Sequence, residues 1–372
     1  MIAFPKLYTE INRAHDHFGP SSIKQDQVKI YRERKPWAHA QIHVLIHTGQ
    51  LYIIDYMQGA SNVARGYAGL SSLYRALIAV DDPTTIPNVE FILDIEDTPV
   101  LDAPADRIVW AWNRPMKNLN TWVAPDFDGW AFPNPDLGSY ISFRDRLRHI
   151  EEPFALKIPK AAWRGNINNG VREALMAVVN NTSSDGWADV ATMKGHRLHM
   201  AEFCKYMFAI HTEGIAWSGR LRYLQNCESV AVVHQPLEYQ AHYYDLLVEE
   251  GPEQNYIAVR NDFSDLEEKI KHYLARPALA ERVAKTSAAT FRDRYLTPAA
   301  EACYWRRMVR SWADCQAFEP EQYKDVHQPD GSVWKRQRGV DWEAFLVRDP
   351  GFKLEFPGKE KGKEKSGMRG GG

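Results

Sequence analysis

The sequence predicts an α/β protein of two units, and three observations carry that expectation. Its 372 residues exceed one typical core, since a domain commonly takes about 100 to 200 residues. Short apolar runs alternate with stretches whose apolar residues recur at helical spacing, the pattern of strands and helices in a layered sheet. The alternation then restarts after Pro153, the expected boundary between the units.

Residues 1–35 read as one or two polar helices. AQIHVLIHT and LYIIDYM follow as a strand pair joined by Thr48, Gly49 and Gln50, a turn composition. From about Ser61 to Val80 the apolar positions Val63, Tyr67, Leu70, Leu73, Tyr74 and Leu77 predict a helix, which Asp81, Asp82 and Pro83 stop. VEFILDI and RIVWAW read as buried strands, so a strand, helix, strand order opens a parallel layer over residues 36–152. Within it, Pro115 to Gly138 lacks periodicity and is expected to be a long structured loop ahead of the helix SFRDRLRHI.

The second unit, residues 153–315, reads as strand KAAWRG, helix GVREALMAVV, strand DVATMK, a helix near HRLHMAEF and strand KYMFAIHT. A glycine turn, helix SGRLRYLQNC and strand SVAVVH complete the alternation. Ser264 with Glu267 fits a capping box opening DLEEKIKHYLA, and Thr297 with Pro298 opens a further helix with Pro at its first position. Residues 316–356 form a C-terminal extension, and the low-complexity tail 357–372 is expected to be disordered.

Composition narrows the function classes. Lys and Arg (46) nearly balance Asp and Glu (48), so no net field draws the chain to nucleic acid or a membrane surface, and any phosphate recognition must be local. No run of about 18 apolar residues occurs, so no membrane-spanning segment is expected. Cys204, Cys227, Cys303 and Cys315 lack zinc-ligand spacing and fit either two disulfides or four buried thiols. Overlapping glycosylation sequons stand at Asn180 and Asn181.

Four segments carry chemistry. KYMFAIHT runs through Glu213 and Gly214 into a helix bearing Arg220 and Arg222; a strand-to-helix turn with small residues lets backbone N–H groups and an Arg fork approach a phosphate, though an ordinary turn with solvated arginines has the same pattern. A second such turn, Trp163 to Gly170, leads into a helix with Arg172; strand carboxyl ends are where open α/β sheets bind ligands, and Asn and Gly also simply suit turns. Asp94, Glu96 and Asp97 close an apolar strand and offer a general base or a solvated strand end. Asp126 and Asp128 form an acidic pair of the kind that holds a divalent metal on a diphosphate, but sugar-lining and structural roles fit it better; single histidines such as His211 and His234 read as structural.

Together these segments resemble glycosyltransferase family 90, which includes fungal capsule-associated glycosyltransferases and animal protein O-glucosyltransferases. The resemblance runs from about Leu51 to Trp305 and rests on Trp163-Arg164-Gly165, Cys204-Lys205-Tyr206, the Gly214–Arg220 loop with Cys227 and Ser229 beyond it, and Cys303-Tyr304-Trp305. It implies a GT-B-like fold of two Rossmann-type domains facing a central cleft, a UDP-sugar donor in the second, a glycan or protein acceptor at the first, and inversion at the anomeric carbon. The family's catalytic Asp-x-Pro falls on Asp97, Thr98 and Pro99, making Asp97 the base.

Donor contacts carry over to Arg164, Gly165, Asn166, Arg172, Ile215, Ala216, Trp217, Ser218, Gly219 and Arg220, with Arg220 on the diphosphate and Arg222 as a helix-surface charge. Asn166 stands where better-known members have Ser, and Gly219 where an aromatic is common. Asp128, Gly129, Trp130, Phe132 and Pro133 fall on the acceptor side. No cofactor is implied and a divalent metal is not expected. The resemblance also implies a Cys204–Cys227 disulfide and a lumenal location in the endoplasmic reticulum or Golgi. It pairs Cys303 with an N-terminal cysteine that is missing here, leaving Cys315 or no partner. No signal or anchor stands in the chain as written, as expected of an incomplete gene model or an unusual location. A non-catalytic sugar-nucleotide or glycan-binding relative is the alternative; a Rossmann dehydrogenase is disfavoured because no GxGxxG follows an early strand.

Overall fold

The computed structural model describes residues 3–31, 40–57, 63–98, 107–134, 136–181, 186–194 and 197–347. The chain opens with α1 (Thr9–Phe18), then β1 (Gln41–His47) and β2 (Gln50–Met57). Their turn holds Thr48 and Gly49 at φ 49° and 75°, and a Cβ on Gly49 would stand 2.5 Å from Pro83, so the tight hairpin requires glycine there. α2 (Val63–Ile78) leads to β3 (Val89–Asp94), followed by β4 (Val109–Ala111), β5 (Arg114–Pro115), β6 (Thr121–Val123) and α3 (Tyr140–Ile150).

The expected parallel first layer is in fact mixed. β1 lies between β2 and β3, antiparallel to both, and only β3, β4 and β6 run parallel. A two-residue turn can join only antiparallel neighbours, so the hairpin inserts an opposed strand into the crossover.

The second layer follows the predicted order through β7 (Ile158–Gly165), α4 (Gly170–Asn181), β8 (Ala188–Thr192), β9 (Tyr206–His211), α5 (Arg220–Leu224) and β10 (Val230–Gln235); beyond them come β11 (Tyr239–Gln240), which pairs with β5 outside this sheet, β12 (Ile257–Arg260), the expected α6 (Leu266–Leu274) and α7 (Pro277–Thr290), of which β11, β12 and α7 were not read from the sequence. Its five strands are all parallel, in the order β12-β10-β9-β7-β8. This is the doubly wound order whose direction reverses between β7 and β9, where a crevice opens at the strands' carboxyl ends. Strand parity builds both faces. Phe208, Ile210, Val230 and Val232 pack with Leu175, Ile270 and Val283 of the helices, while Ala209 meets Phe203 and Leu224 and Val233 enters the first layer's core.

Three local expectations change. HRLHMAEF forms only a 3-10 turn, Met200–Lys205, because the chain must extend again by Tyr206 to begin β9. SGRLRYLQNC shortens to α5, since Ser229 Oγ donates to the Tyr206 carbonyl at 2.6 Å and draws the chain into β10. Asp265, not Ser264, precedes α6, and no side-chain cap forms; the Asp265 carboxylate instead accepts from Arg260 N at 2.9 Å. Thr297 does cap its helix, accepting from Ala300 N at 3.2 Å.

That helix, α8 (Pro298–Cys315), lies within the 153–315 segment yet packs on α1, α2 and β3 of the first layer. It delivers Trp305 and Trp312 against Trp110, which stacks on Phe91 at 3.6 Å, so these tryptophans are core. The hairpin β13 (Tyr323–His327) and β14 (Val333–Gln337) follows, then β15 (Val340–Asp341) and α9 (Trp342–Val347). β15 joins the edge of the first sheet, giving β15-β2-β1-β3-β4-β6. The predicted tail 357–372 lies outside the described residues.

Candidate active site

The turns after β7 and β9 meet at the crevice, and Arg172 stitches them together. Its Nε donates to Thr212 Oγ1 (3.2 Å) and the Glu213 carbonyl (2.9 Å), and its Nη1 to the Asn166 carbonyl (2.9 Å) and Asn168 Oδ1 (3.0 Å). Asn169 adds Nδ2 donation to the carbonyls of Glu213 and Gly214. Burial lowers the Arg172 pKa.

Arg220 differs in kind. Its Nε and Nη1 are buried without a hydrogen-bond partner, and among the described residues no carboxylate pairs with it. Burial first, then the charge of Arg172, brings its pKa down to about 10. Both guanidiniums lie 5.9 Å from the Trp163 ring centroid, and Arg220 is also 5.9 Å from Phe203. Two partly desolvated cations sharing an aromatic plate without an anion form an electrostatically unbalanced site that a phosphate would complete. Beside them a cleft of about 480 Å³ is lined by Asn169, Gly170, Glu213, Gly214, Tyr239 and Asn261. Burial raises Glu213 to about 7, against the pull of N–H donors from Glu238 and Tyr239.

Other residues assigned to the donor by resemblance have mixed settings. Arg164 is held on the adjacent strand, ion-paired with Asp189 at 2.7 Å, where Tyr206 also donates. Gly165 is needed for packing, since a Cβ would fall 2.5 Å from the Trp163 ring. Asn166 is exposed and presents its carbonyl to Arg172. Ile215 is exposed, Ser218 and Gly219 are half-buried, and Ala216 and Trp217 enter the first layer's core, with Trp217 meeting Phe127 edge-on at 6.5 Å.

On the facing layer, the three carboxylates after β3 separate by role. Asp94 is fully buried, accepting from Gln41 Nε2 at 3.1 Å, and Glu96 accepts from Ala40 N at 3.1 Å. Asp97 stays about half exposed, ion-paired with Arg65, while Asn113 Nδ2 donates to its carbonyl at 2.8 Å. Pro99 of the Asp-x-Pro pattern lies outside the described residues. Arg65 rests 5.1 Å from the Phe127 ring centroid, so Asp97, Arg65, Phe127 and Trp217 form a line of contacts from one layer to the other.

The acidic pair is built into this junction. Asp126 is buried against Arg222 (Oδ1–Nε 3.0 Å), and Arg222 also pairs with Glu301 at 3.0 Å. Arg222 is therefore not the helix-surface charge the sequence suggested: it is fully buried, and although burial opposes its charge, Asp126 and Glu301 hold its pKa well above the ordinary value. Helical spacing alone does not show that this side of α5 faces another layer. Asp128 accepts from Tyr223 Oη at 3.0 Å, and burial, then the charge of Asp126, raises its pKa to about 7. Gly129 leaves room for Glu301, Trp130 lies under Arg75 at 4.8 Å, Phe132 is 6.0 Å from Phe127, and Pro133 is exposed. Sequence reading did not single out Arg65, Phe203 or Glu301, which carry no local motif.

A disulfide joins Cys204 to Cys227, with Cα atoms 4.9 Å apart, and brackets the loop of Arg220. Closing a loop across 23 residues is worth about 3 kcal/mol. Cys227→Ser is therefore expected to lower unfolding stability by about 3 kcal/mol in a denaturant titration, and added reductant should bring wild type to the same level. Cys303 and Cys315 are free. Both lie on α8, about 18 Å apart along its axis by helical rise, too far to pair with each other.

A doubly wound sheet with Arg220 unpartnered at its switch point, beside Arg172, has the setting in which α/β proteins hold anionic ligands. The chain belongs to glycosyl transferase family 90, whose sequence profile matches residues 3–343. It is 24% identical over 286 residues to protein O-glucosyltransferase 3 of Rattus norvegicus, covering 70% of this chain and 54% of that protein. It is 26% identical over 214 residues to protein O-glucosyltransferase 1 of the same species (54% and 53% covered), and 22% over 262 residues to O-glucosyltransferase rumi of Drosophila melanogaster (63% and 62%). The chain thus spans little more than half the length of these curated relatives. Among the described residues no helix is long and apolar enough to cross a membrane.

Proposed function

We propose that this chain is an inverting glycosyltransferase that moves a sugar, glucose or xylose, from a UDP-sugar to a hydroxyl of a protein or glycan acceptor. The observation that carries this reading is Arg220, a guanidinium with buried, unpartnered nitrogens beside Arg172 at the switch point. The relatives' names favour glucose and a protein acceptor. The Cys204–Cys227 bond favours an oxidising lumen.

In this reaction Asp97 takes the proton of the acceptor hydroxyl as its oxygen attacks the anomeric carbon from the side opposite UDP. The new carbon–oxygen bond forms as the bond to the diphosphate breaks, and the electron pair leaves with UDP. Arg220, assisted by Arg172, offsets the negative charge growing on the leaving diphosphate, which is stabilisation concentrated in the transition state. Fixed arginines supply that charge, so the scheme requires no cofactor.

A screen of several UDP-sugars for transfer and hydrolysis, with and without chelator, tests the reading. Turnover of at least one donor that survives chelator is expected; loss with chelator would return Asp126 and Asp128 to consideration as metal ligands. Arg220→Ala is expected to lower kcat/KM by about 100-fold or more with little loss of thermal stability, because among the described residues the removed charge has no carboxylate partner and its nitrogens make no hydrogen bond, leaving only the ring contacts to Trp163 and Phe203. Unaltered turnover in that variant would overturn the role of Arg220.

A further inference from the structure

Asp128 is buried at the junction and has no part in the scheme above, yet its position is specific. Its loop packs between α2 and the turn that carries Arg220. On one side stands Arg65, which holds Asp97 and whose charge also acts on Asp128. On the other, Asp128 Oδ2 projects onto Gly219, only 1.9 Å from where a Cβ at that residue would stand. Oδ1 accepts from Tyr223, whereas Oδ2 has no hydrogen-bond partner among the described residues, in a side chain only 2% exposed.

We propose that Asp128 Oδ2 binds a hydroxyl of the transferred sugar, making Asp128 a specificity-determining residue of the donor site. The inference rests on the glycosyltransferase reading above. If Asp97 is the base and Arg220 holds the diphosphate, the sugar lies between them, and Asp128 is a polar group reaching from the one toward the other. An acceptor that no described protein group fills, in a residue otherwise withdrawn from water, is one that a sugar hydroxyl would satisfy.

The surroundings suit that task. Asp126 on the same loop, Arg65 of α2, Arg222 and Tyr223 of α5, Tyr243 beyond β11 and Glu301 of α8 are the charged and titratable groups around the site. Burial and Asp126 hold the carboxyl at about 7, so near neutral pH it can donate a hydrogen bond as well as accept one. Gly219 is what admits the carboxyl, because any side chain there would displace it.

The test compares wild type, Asp128→Asn, Asp128→Ala and Gly219→Ala with UDP-glucose, UDP-galactose and UDP-xylose, and measures UDP affinity by calorimetry. A site built to hydrogen-bond a hydroxyl discriminates strongly against donors that lack or misplace it. Asp128→Ala and Gly219→Ala are expected to lower kcat/KM for the preferred donor by about 100-fold and to compress the ranking of the three. UDP affinity should change less than about threefold. Asp128→Asn, which preserves shape, should retain the fold and still compress the ranking. Variants that keep the wild-type ranking while wild type turns over sugar overturn this assignment alone, whether or not their stability falls. A wild type that turns over none of the three overturns the glycosyltransferase reading and this assignment with it.

Discussion

Asp97→Asn is expected to abolish measurable transfer, lowering kcat by about 10³-fold or more, while UDP affinity stays within a factor of about two. A positioned general base contributes on the order of 10² to 10⁴ in rate, and the amide keeps the size of the carboxylate without its proton affinity. UDP binding is expected to be spared because Arg172 and Arg220, the groups proposed to hold the diphosphate, stand at the carboxyl end of the other sheet. Asp94→Asn and Glu96→Gln are the informative contrasts: their carboxylates are occupied by Gln41 and Ala40, so they should alter stability more than turnover. Single-turnover transfer assays with calorimetric UDP binding decide the matter. Full transfer by Asp97→Asn would move the base elsewhere.

Arg222→Met is expected to cost about 3 to 5 kcal/mol of unfolding free energy, the range for breaking a buried pair by removing one partner. It would leave Asp126 and Glu301 buried together without their shared cation. The loss should extend to activity, because the pairs fasten α5 to the loop of Asp128 and to α8. Adding Asp126→Asn and Glu301→Gln should recover much of the stability, since replacing a whole buried network is cheaper than removing one member. Chemical denaturation of the single and triple variants measures this. A change below about 1 kcal/mol for Arg222→Met would show that the pairs behave like solvated surface bridges.

These variants mark what could be read from residues alone. In the second sheet β7 to β10 were legible, most clearly β9 and β10, which are short apolar runs buried on both faces, whereas β12 was not read. In the first sheet β1 to β4 were legible as strands, but β6, inside the expected loop, and β15, in the C-terminal extension, were not, and the topology was hidden because the pairing of β1 with β3 joins residues about 50 positions apart. The carboxylates after β3 were visible as a cluster, but which one remained at the surface depended on Gln41 and Ala40 from another strand.

The sequence by itself determined the chemical inventory of this protein and its order: an α/β alternation, two strand-to-helix turns bearing arginines, acidic residues after an apolar strand, and cysteines on either side of the Arg220 loop. These are local patterns, set by spacing and by residue type. The tertiary structure alone decided how each charge is used. Arg220 and Arg222 are two positions apart on one short helix, yet one sits unpaired over Trp163 and the other is locked between Asp126 and Glu301. The physical reason is that residues two apart on a helix point to different sides. Which side meets a cleft and which meets a buried carboxylate depends on chain segments distant in sequence.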